Sequence, residues 1–351
     1  MLKSISTALS ILLSGFIVMG CAACASEPSG GDETPDESKT ITREILSDTH
    51  FEEGVKVSGL ESQSYAYTWW KYEGTTPTVT PLWSLGQYCN LARTREGYDT
   101  SRNNLSLKTL IGDGNGIVGK EGDADTLTNI SGSKLVKLTS ERGKAELIVD
   151  TSKEYIDQET GEIVPRREGE DWVHLILSGT SEVVYPAKIK ALTISADVTV
   201  SECSVMDNSI GADQLQWIFQ VRDMGSSAVD YFWFSITLFD NRYEVFPGAQ
   251  SFDGGKEDAT GKFIYAPSGE ALFGAEDAKM QTGVCRHMEI DIAPLLHEAF
   301  LAAKEKGALT QAQWENMAVN GFNLGWEVSN VAKVGAVLEN LSIKVTQEQE
   351  T

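Results

Sequence analysis

Three segments between Lys190 and Tyr265 alternate apolar and polar residues with a period of two, and such a pattern folds as strands with one buried face. Leu192, Ile194, Ala196, Val198 and Val200 alternate with Thr193, Ser195, Asp197 and Thr199. Leu215, Trp217, Phe219 and Val221 alternate with Gln216, Gln220 and Arg222, and Phe232, Phe234, Ile236 and Leu238 with Tyr231, Trp233, Ser235 and Thr237. The implied class is all-β, an antiparallel sandwich. The face turned from the core mixes aromatic rings, amides, hydroxyls and a guanidinium.

The same rhythm recurs elsewhere. Strands are expected within Ser64–Tyr72, Leu82–Tyr88, Leu105–Ile111, Leu135–Leu138, Glu146–Val149, Trp172–Leu177, Val284–Ile292, Phe322–Glu327 and Val334–Val345. In Trp172–Leu177 either face qualifies as core: Val173, Leu175 and Leu177, or Trp172, His174 and Ile176. Trp69, Trp70 and Trp83 serve either as core or as stacking surfaces. Thr151–Glu170 reads as a charged hairpin or loop. Pro294 suits the first turn of a helix whose stripe is Leu295, Leu296, Ala299, Phe300 and Ala303, with Gly307 ending it. Thr310 and Gln313 form a capping-box signature for a second short helix ending near Asn320-Gly321.

The formal net charge of -22 argues against nucleic acid, whose phosphates would be repelled. It favours a neutral extracellular glycan over an anionic one. Of the five cysteines, Cys89, Cys203 and Cys285 lie in the body, an odd number that excludes a full disulfide framework. A Cys203–Cys285 bridge and free thiols both remain open.

Residues 1–20 carry Lys3 and then an apolar run from Ala8 to Val18, a secretory signal pattern. Val18-Met19-Gly20-Cys21 resembles the lipobox of bacterial lipoproteins. That resemblance implies acylation of Cys21, removal of the leader and a lipid-anchored protein of the bacterial cell envelope, exposed outside the cytoplasmic membrane. Residues 21–45 are expected to form a flexible acidic tether, and 46–351 one large β-sandwich domain.

Gly112–Asp125 reads GDGNGIVGKEGDAD, and Asp113, Asn115, Asp123 and Asp125 are candidate oxygen ligands for Ca²⁺. A ligand face is expected from Trp172, Gln220, Arg222, Tyr231, Trp233 and Arg242. Rings stack on sugar C–H faces, while amides and guanidinium bond hydroxyls. His174, His287 and Glu289 are candidate catalytic groups, the last two completing the groove if their strand joins the same sheet.

From Trp172 to Val345 the chain looks like a jelly-roll sandwich of the concanavalin A-like lectin/glucanase superfamily. The likeness lies in the strand rhythm, the aromatic outward faces and the closing Asn340-Leu341-Ser342-Ile343-Lys344-Val345 strand. It implies carbohydrate as partner, in lectins, binding modules, glycoside hydrolases or polysaccharide lyases. Glu289-Ile290-Asp291-Ile292 resembles the opening of the Glu-x-Asp-x-x-Glu strand of family 16 glucanases, where two Glu act as nucleophile and acid/base. Here Pro294 occupies the last position, so that pair is broken. Lyases of this fold pair a Gln or His with an Arg and a Tyr; His174, Arg222 and Tyr231 match in type but not in spacing. The expectation is a cell-surface lipoprotein that binds carbohydrate. A glycan-cleaving enzyme on the same fold is the alternative, and a structural or adhesion protein the third class.

Overall fold

The computed structural model describes residues 39–57, 68–70, 81–86, 116–157, 159–170, 172–207, 211–226, 230–254 and 259–349. Their strands, in chain order, are β1 (Thr40–Glu44), β2 (Val55–Val57), β3 (Thr68–Trp70), β4 (Ser84–Gly86), β5 (Gly116–Glu121), β6 (Ala124–Asn129), β7 (Lys134–Thr139), β8 (Lys144–Asp150) and β9 (Val173–Val184). They continue with β10 (Ala191–Asp207), β11 (Asp213–Asp223), β12 (Tyr231–Asp240), β13 (Ala249–Phe252), β14 (Phe263–Ala266), β15 (Cys285–Asp291), β16 (Met317–Val328) and β17 (Val331–Glu348). Two helices are described, α1 (Gly269–Asp277) and α2 (Ala293–Glu305).

The strands form a two-sheet sandwich. One sheet runs β15-β10-β17-β8-β7-β6-β5, with β1 also on β17; the other runs β13-β14-β12-β11-β16-β9-β4-β2-β3. Pairing is antiparallel except for β12 with β14 and β2 with β4, which are parallel. The alternation is realised as expected: the apolar sets of β10, β11 and β12 are buried between the sheets. On β9, Val173, Leu175 and Leu177 take the core side.

The core centres on aromatic rings. Trp217 stacks on Phe219 at 5.5 Å, and Phe322 meets Trp217, Phe219 and Trp83 at 5.5–6.2 Å. Trp83 is wholly buried and donates its indole N–H to the Asp48 carbonyl at 2.7 Å, so it is core. Trp326 reaches across the sandwich and donates to the Leu147 carbonyl at 3.1 Å. Gly179 faces Phe322, and a Cβ there would lie 2.5 Å from the ring edge, so the ring occupies a side chain's place.

Helix α2 buries Leu296, Ala299, Phe300 and Ala303 and packs on β10, β12 and β14. Phe300 also lies 5.5 Å from the Trp314 ring. Phe300→Ala is expected to cost about 3–5 kcal/mol of stability, read from urea unfolding; a negligible loss would mean a loosely seated helix. Helix α1 sits on β15. Beneath it Arg286 is buried with its guanidinium 4.1 Å from the Phe273 centroid, and it donates to the Leu238 carbonyl. Burial pulls that guanidinium down to about 10.

Several expectations are corrected. The helix expected over Thr310–Asn320 is a 3-10 turn, Trp314–Asn316, followed by β16. Met317, Ala318 and Val319 are buried there as strand residues, which overrides the capping signature. Thr40–Glu44, expected within the tether, is paired residue for residue with Lys344–Glu348 as a strand. Glu44 Oε1 accepts the Ile343 N–H at 2.9 Å, and its carboxylate also holds the Ser342 hydroxyl. Cys203 and Cys285 are separate thiols, and burial pushes the Cys203 thiol up to about 11. Trp69 and Trp70 are backbone residues of β3; the strand expected over Leu105–Ile111 and Cys89 lie outside the described residues.

The Gly112–Asp125 stretch is, from Gly116 on, the β5–β6 hairpin. Asp123 at its turn is 3.1 Å from Arg142 Nη2, and Asp125 is 3.9 Å from Lys120 Nζ. Each carboxylate thus sits against a cation of the protein. Asp113 and Asn115 lie outside the described residues. Among the described residues no group of three or more His, Cys, Asp or Glu is placed to hold a metal ion.

Candidate functional site

The outer face of the second sheet is not covered by either helix, and over its middle lies a cavity of about 830 Å³. Its floor comes from the outward positions of four neighbouring strands. Thr237 is registered with Gln216, Gln216 with Gly325 and Gly325 with Ile176. One step along, Ser235, Ile218, Asn323 and Ser178 make the next row. Gly325 puts no side chain on the floor, and β9 leaves no room for one, because a Cβ there would lie 2.2 Å from the Leu175 carbonyl oxygen. The side wall comes from β13, β14 and the segment after β12, with Tyr243, Phe246, Ala249, Ser251, Phe252 and Ile264.

The amides of the floor are held in fixed orientations. The Ser235 hydroxyl donates to Gln216 Oε1 at 2.9 Å, which leaves the Gln216 NH₂ as the cavity's donor. The Ser178 hydroxyl donates to Asn323 Oδ1 at 2.7 Å, with the same result. Gln214 Nε2 donates to Asp240 Oδ2 at 2.7 Å, which leaves Gln214 Oε1 as an acceptor.

The cavity has two unlike ends. At one, Trp233 lines the wall beside Phe252 and Ile264. Tyr231 braces it edge-on at 5.0 Å and 77°, and its indole N–H donates to Thr260 Oγ1 at 3.3 Å. Thr260 is fixed in turn by Asp253, which accepts its N–H and its hydroxyl at 2.7 Å each. At the other end stand Trp172, His174, Glu327, Gln214 and Arg242. His174 and Glu327 are registered across β9 and β16, with Nε2 3.7 Å from Oε1. Arg242 forks onto Asp240, Nε to Oδ1 at 2.9 Å and Nη2 to Oδ2 at 2.6 Å. This bond, more than anything else, holds the Arg242 guanidinium above its ordinary range.

Behind Asp240 lies a second buried carboxylate, Asp213, bonded by the Asn330 backbone N–H at 3.2 Å and side-chain NH₂ at 3.0 Å. Burial pushes its carboxyl up against these hydrogen bonds, with Asp240 adding to the rise. A folded value above the unfolded one means the native state holds its proton longer, so stability is lost as pH rises through the raised value. Asp213→Asn is therefore expected to raise the urea midpoint at pH 7 and to lose that advantage near pH 3.5. Asn330 Oδ1, which lacks a partner, is available to accept the new amide. An equal loss of stability at both pH values would contradict this account.

Of the sequence-expected site residues, Trp172, His174, Trp233 and Arg242 meet in this cavity. Gln220 and Arg222 share its face, registered with Trp233 and Tyr231, but lie beyond its end. β14 pairs with this same half of β12, at Trp233 and Phe234, yet Gln220, Arg222 and Tyr231 do not line the cavity. His287 and Glu289 belong to β15, at the edge of the other sheet, and are removed from the groove. His287 is exposed there and shares a 2.6 Å hydrogen bond with Asp197. Gln214, Asn323, Glu327, Tyr243 and Asp240 were not singled out from sequence. The Gln214-Leu215-Gln216 alternation and Glu327 opposite the Phe322–Leu324–Trp326 core face were the available signals.

No protein-family model matches the chain, and no curated protein matches it. Several solved structures are similar in part, at low identity. A thermostable cellulase derived from that of Rhodothermus marinus has 9% identity and a TM-score of 0.36, over 66% of this chain and 98% of that one. The xyloglucanase domain of a Sinorhizobium fredii effector, in complex with cellobiose, has 9% identity and a TM-score of 0.33, over 66% and 96%. A family 11 xylanase from Neocallimastix patriciarum has 9% identity and a TM-score of 0.32, over 66% and 96%. At these values the functional reading rests on the cavity's own geometry.

Proposed function

We propose that this chain is a surface lipoprotein that binds an extended extracellular carbohydrate in the cavity of its second sheet. The observation that carries this reading is the pairing of aromatic surface with amides whose orientation is fixed before any ligand arrives. Rings take up sugar C–H faces, and fixed donors and acceptors take up hydroxyls without the entropy of ordering at binding. The span suits a chain of sugars. Trp233 is registered through Gln220 and Gly321 to Thr180, and Trp172 lies eight residues before Thr180. That is three strand spacings, about 14 Å, by about 26 Å along the strand. A glycan array probed with the intact chain in detergent tests the reading, and an array without hits overturns it.

His174 and Glu327 favour a second reading, glycan cleavage, because a His and a carboxylate together on a cavity floor are equipped to move a proton. Product analysis of each array hit separates the two. Shortened glycan that disappears with Glu327→Gln marks an enzyme; unchanged glycan marks a binding protein. A structural or adhesion protein would bind none.

The anchor rests on the Val18-to-Cys21 pattern. Cys21→Ser is expected to release the protein from membranes, since stable attachment needs acyl chains at about 0.8 kcal/mol per buried CH₂. A variant that stays membrane-bound with unchanged mobility would remove the lipobox reading.

A further inference from the structure

The charged end of the cavity has a feature that ring stacking does not explain, a wholly buried carboxylate that organises two lining residues at once. Asp240 has no exposed surface. It takes the Arg242 fork on both oxygens, the Arg242 backbone N–H at 3.0 Å and the Gln214 amide at 2.7 Å. The guanidinium keeps further N–H groups, and its side chain is 45% exposed, so these remain available to a ligand. Gln214 keeps its oxygen. A donor and an acceptor are thus fixed beside each other at the cavity end.

The charges there are unequal. Among the described lining residues Arg242 is the permanent cation, and Asp240 already balances it. Glu327 and Asp253 add negative charge on the same cavity. A sugar hydroxyl both accepts and donates, so a neighbouring pair of hydroxyls matches a fixed donor and acceptor without any net charge. A uronate or sulfate would meet a guanidinium whose charge is spent and a carboxylate, Glu327, beside it.

We propose that Asp240 is a positioning residue that sets sugar class: it presents Arg242 and Gln214 to adjacent hydroxyls of a neutral sugar and, with Glu327, rejects acidic sugars. This deepens the carbohydrate reading and rests on it. Arg242 and Gln214 touch the ligand; Asp240 acts only through them.

The test titrates the intact chain in detergent with matched hexasaccharides, neutral ones of glucose, xylose and mannose and an acidic one of galacturonate. The wild type is expected to bind a neutral chain and not the galacturonate. Asp240→Asn should weaken the neutral ligand about tenfold or more and narrow the neutral-to-acidic ratio, because it frees the Arg242 charge. A merely structural role would weaken both ligands alike. Should Asp240→Asn fail to fold, Arg242→Lys at the half-exposed position replaces it, keeping the charge and losing the fork, with the same tenfold loss expected. Glu327→Gln should let galacturonate bind. Preferential binding of galacturonate by the wild type, an unchanged ratio in Asp240→Asn or Glu327→Gln, or full affinity in Arg242→Lys overturns the inference while leaving carbohydrate binding intact. Absence of binding to every hexasaccharide and every array glycan overturns both.

Discussion

Replacing Lys134 by methionine is expected to lower the unfolding free energy by about 3–5 kcal/mol. Lys134 opens β7, and Glu154 follows the 3-10 turn at Thr151–Lys153. Their side chains form an ion pair with no exposed surface on either partner. The Ser133 hydroxyl donates to Glu154 Oε1 at 2.7 Å and accepts from the Asn129 amide at 2.7 Å. Without Lys134 the carboxylate stays buried with its charge uncompensated, which is costlier than the pair is favourable. Combining Lys134→Met with Glu154→Leu is therefore expected to recover most of the loss, because neither charge then remains in the interior. Urea unfolding of the two variants checks both halves. A single variant within 1 kcal/mol of wild type would show that water reaches the pair.

Trp233→Ala is expected to reduce glycan affinity by a factor of about thirty or more, as for a buried aromatic anchor contributing 2 kcal/mol or beyond. The residue is half-buried on the outward side of β12, braced by Tyr231 and tied to Thr260. The core of that strand is made by Phe232, Phe234, Ile236 and Leu238, which the substitution leaves in place. Titration against the best array glycan, with a thermal melt alongside, separates loss of a platform from loss of the fold. A variant that unfolds would place Trp233 in the core, and full affinity would remove the aromatic end from the binding surface.

The strands were legible because burial on one face writes itself into alternate positions, as on β10, β11 and β12. What alternation leaves open is which sheet a strand joins. β11 and β12 are hairpin neighbours, so Trp233 and Gln220 fell together as expected. β15 returns across the chain to β10, so His287 and Glu289, with the same period, went to the other sheet. The cavity was less legible than its floor. Its wall comes from a segment without period, around Tyr243, Phe246 and Phe252, so alternation could not show that Gln214 lines the site while Gln220 does not. Asp240 was hidden because its role depends on being buried, which a residue at the end of a strand does not advertise. The helix expected at Thr310 failed because three core positions, Met317, Ala318 and Val319, outweigh a favourable cap.

The pairing of β1 with β17 has a mechanical consequence. Any pull transmitted through the residues before Lys39 enters the folded body at Thr40 and runs along β1. Its five residues are matched to Lys344–Glu348, with Arg43 also paired to Glu182 and Thr42 to Thr346. Drawn along its own axis, such a strand loads all its rungs together instead of opening them one after another. β17 carries that load to β10, its partner along most of its length. The N-terminal edge of the sandwich is thus built as a lap joint, loaded in shear.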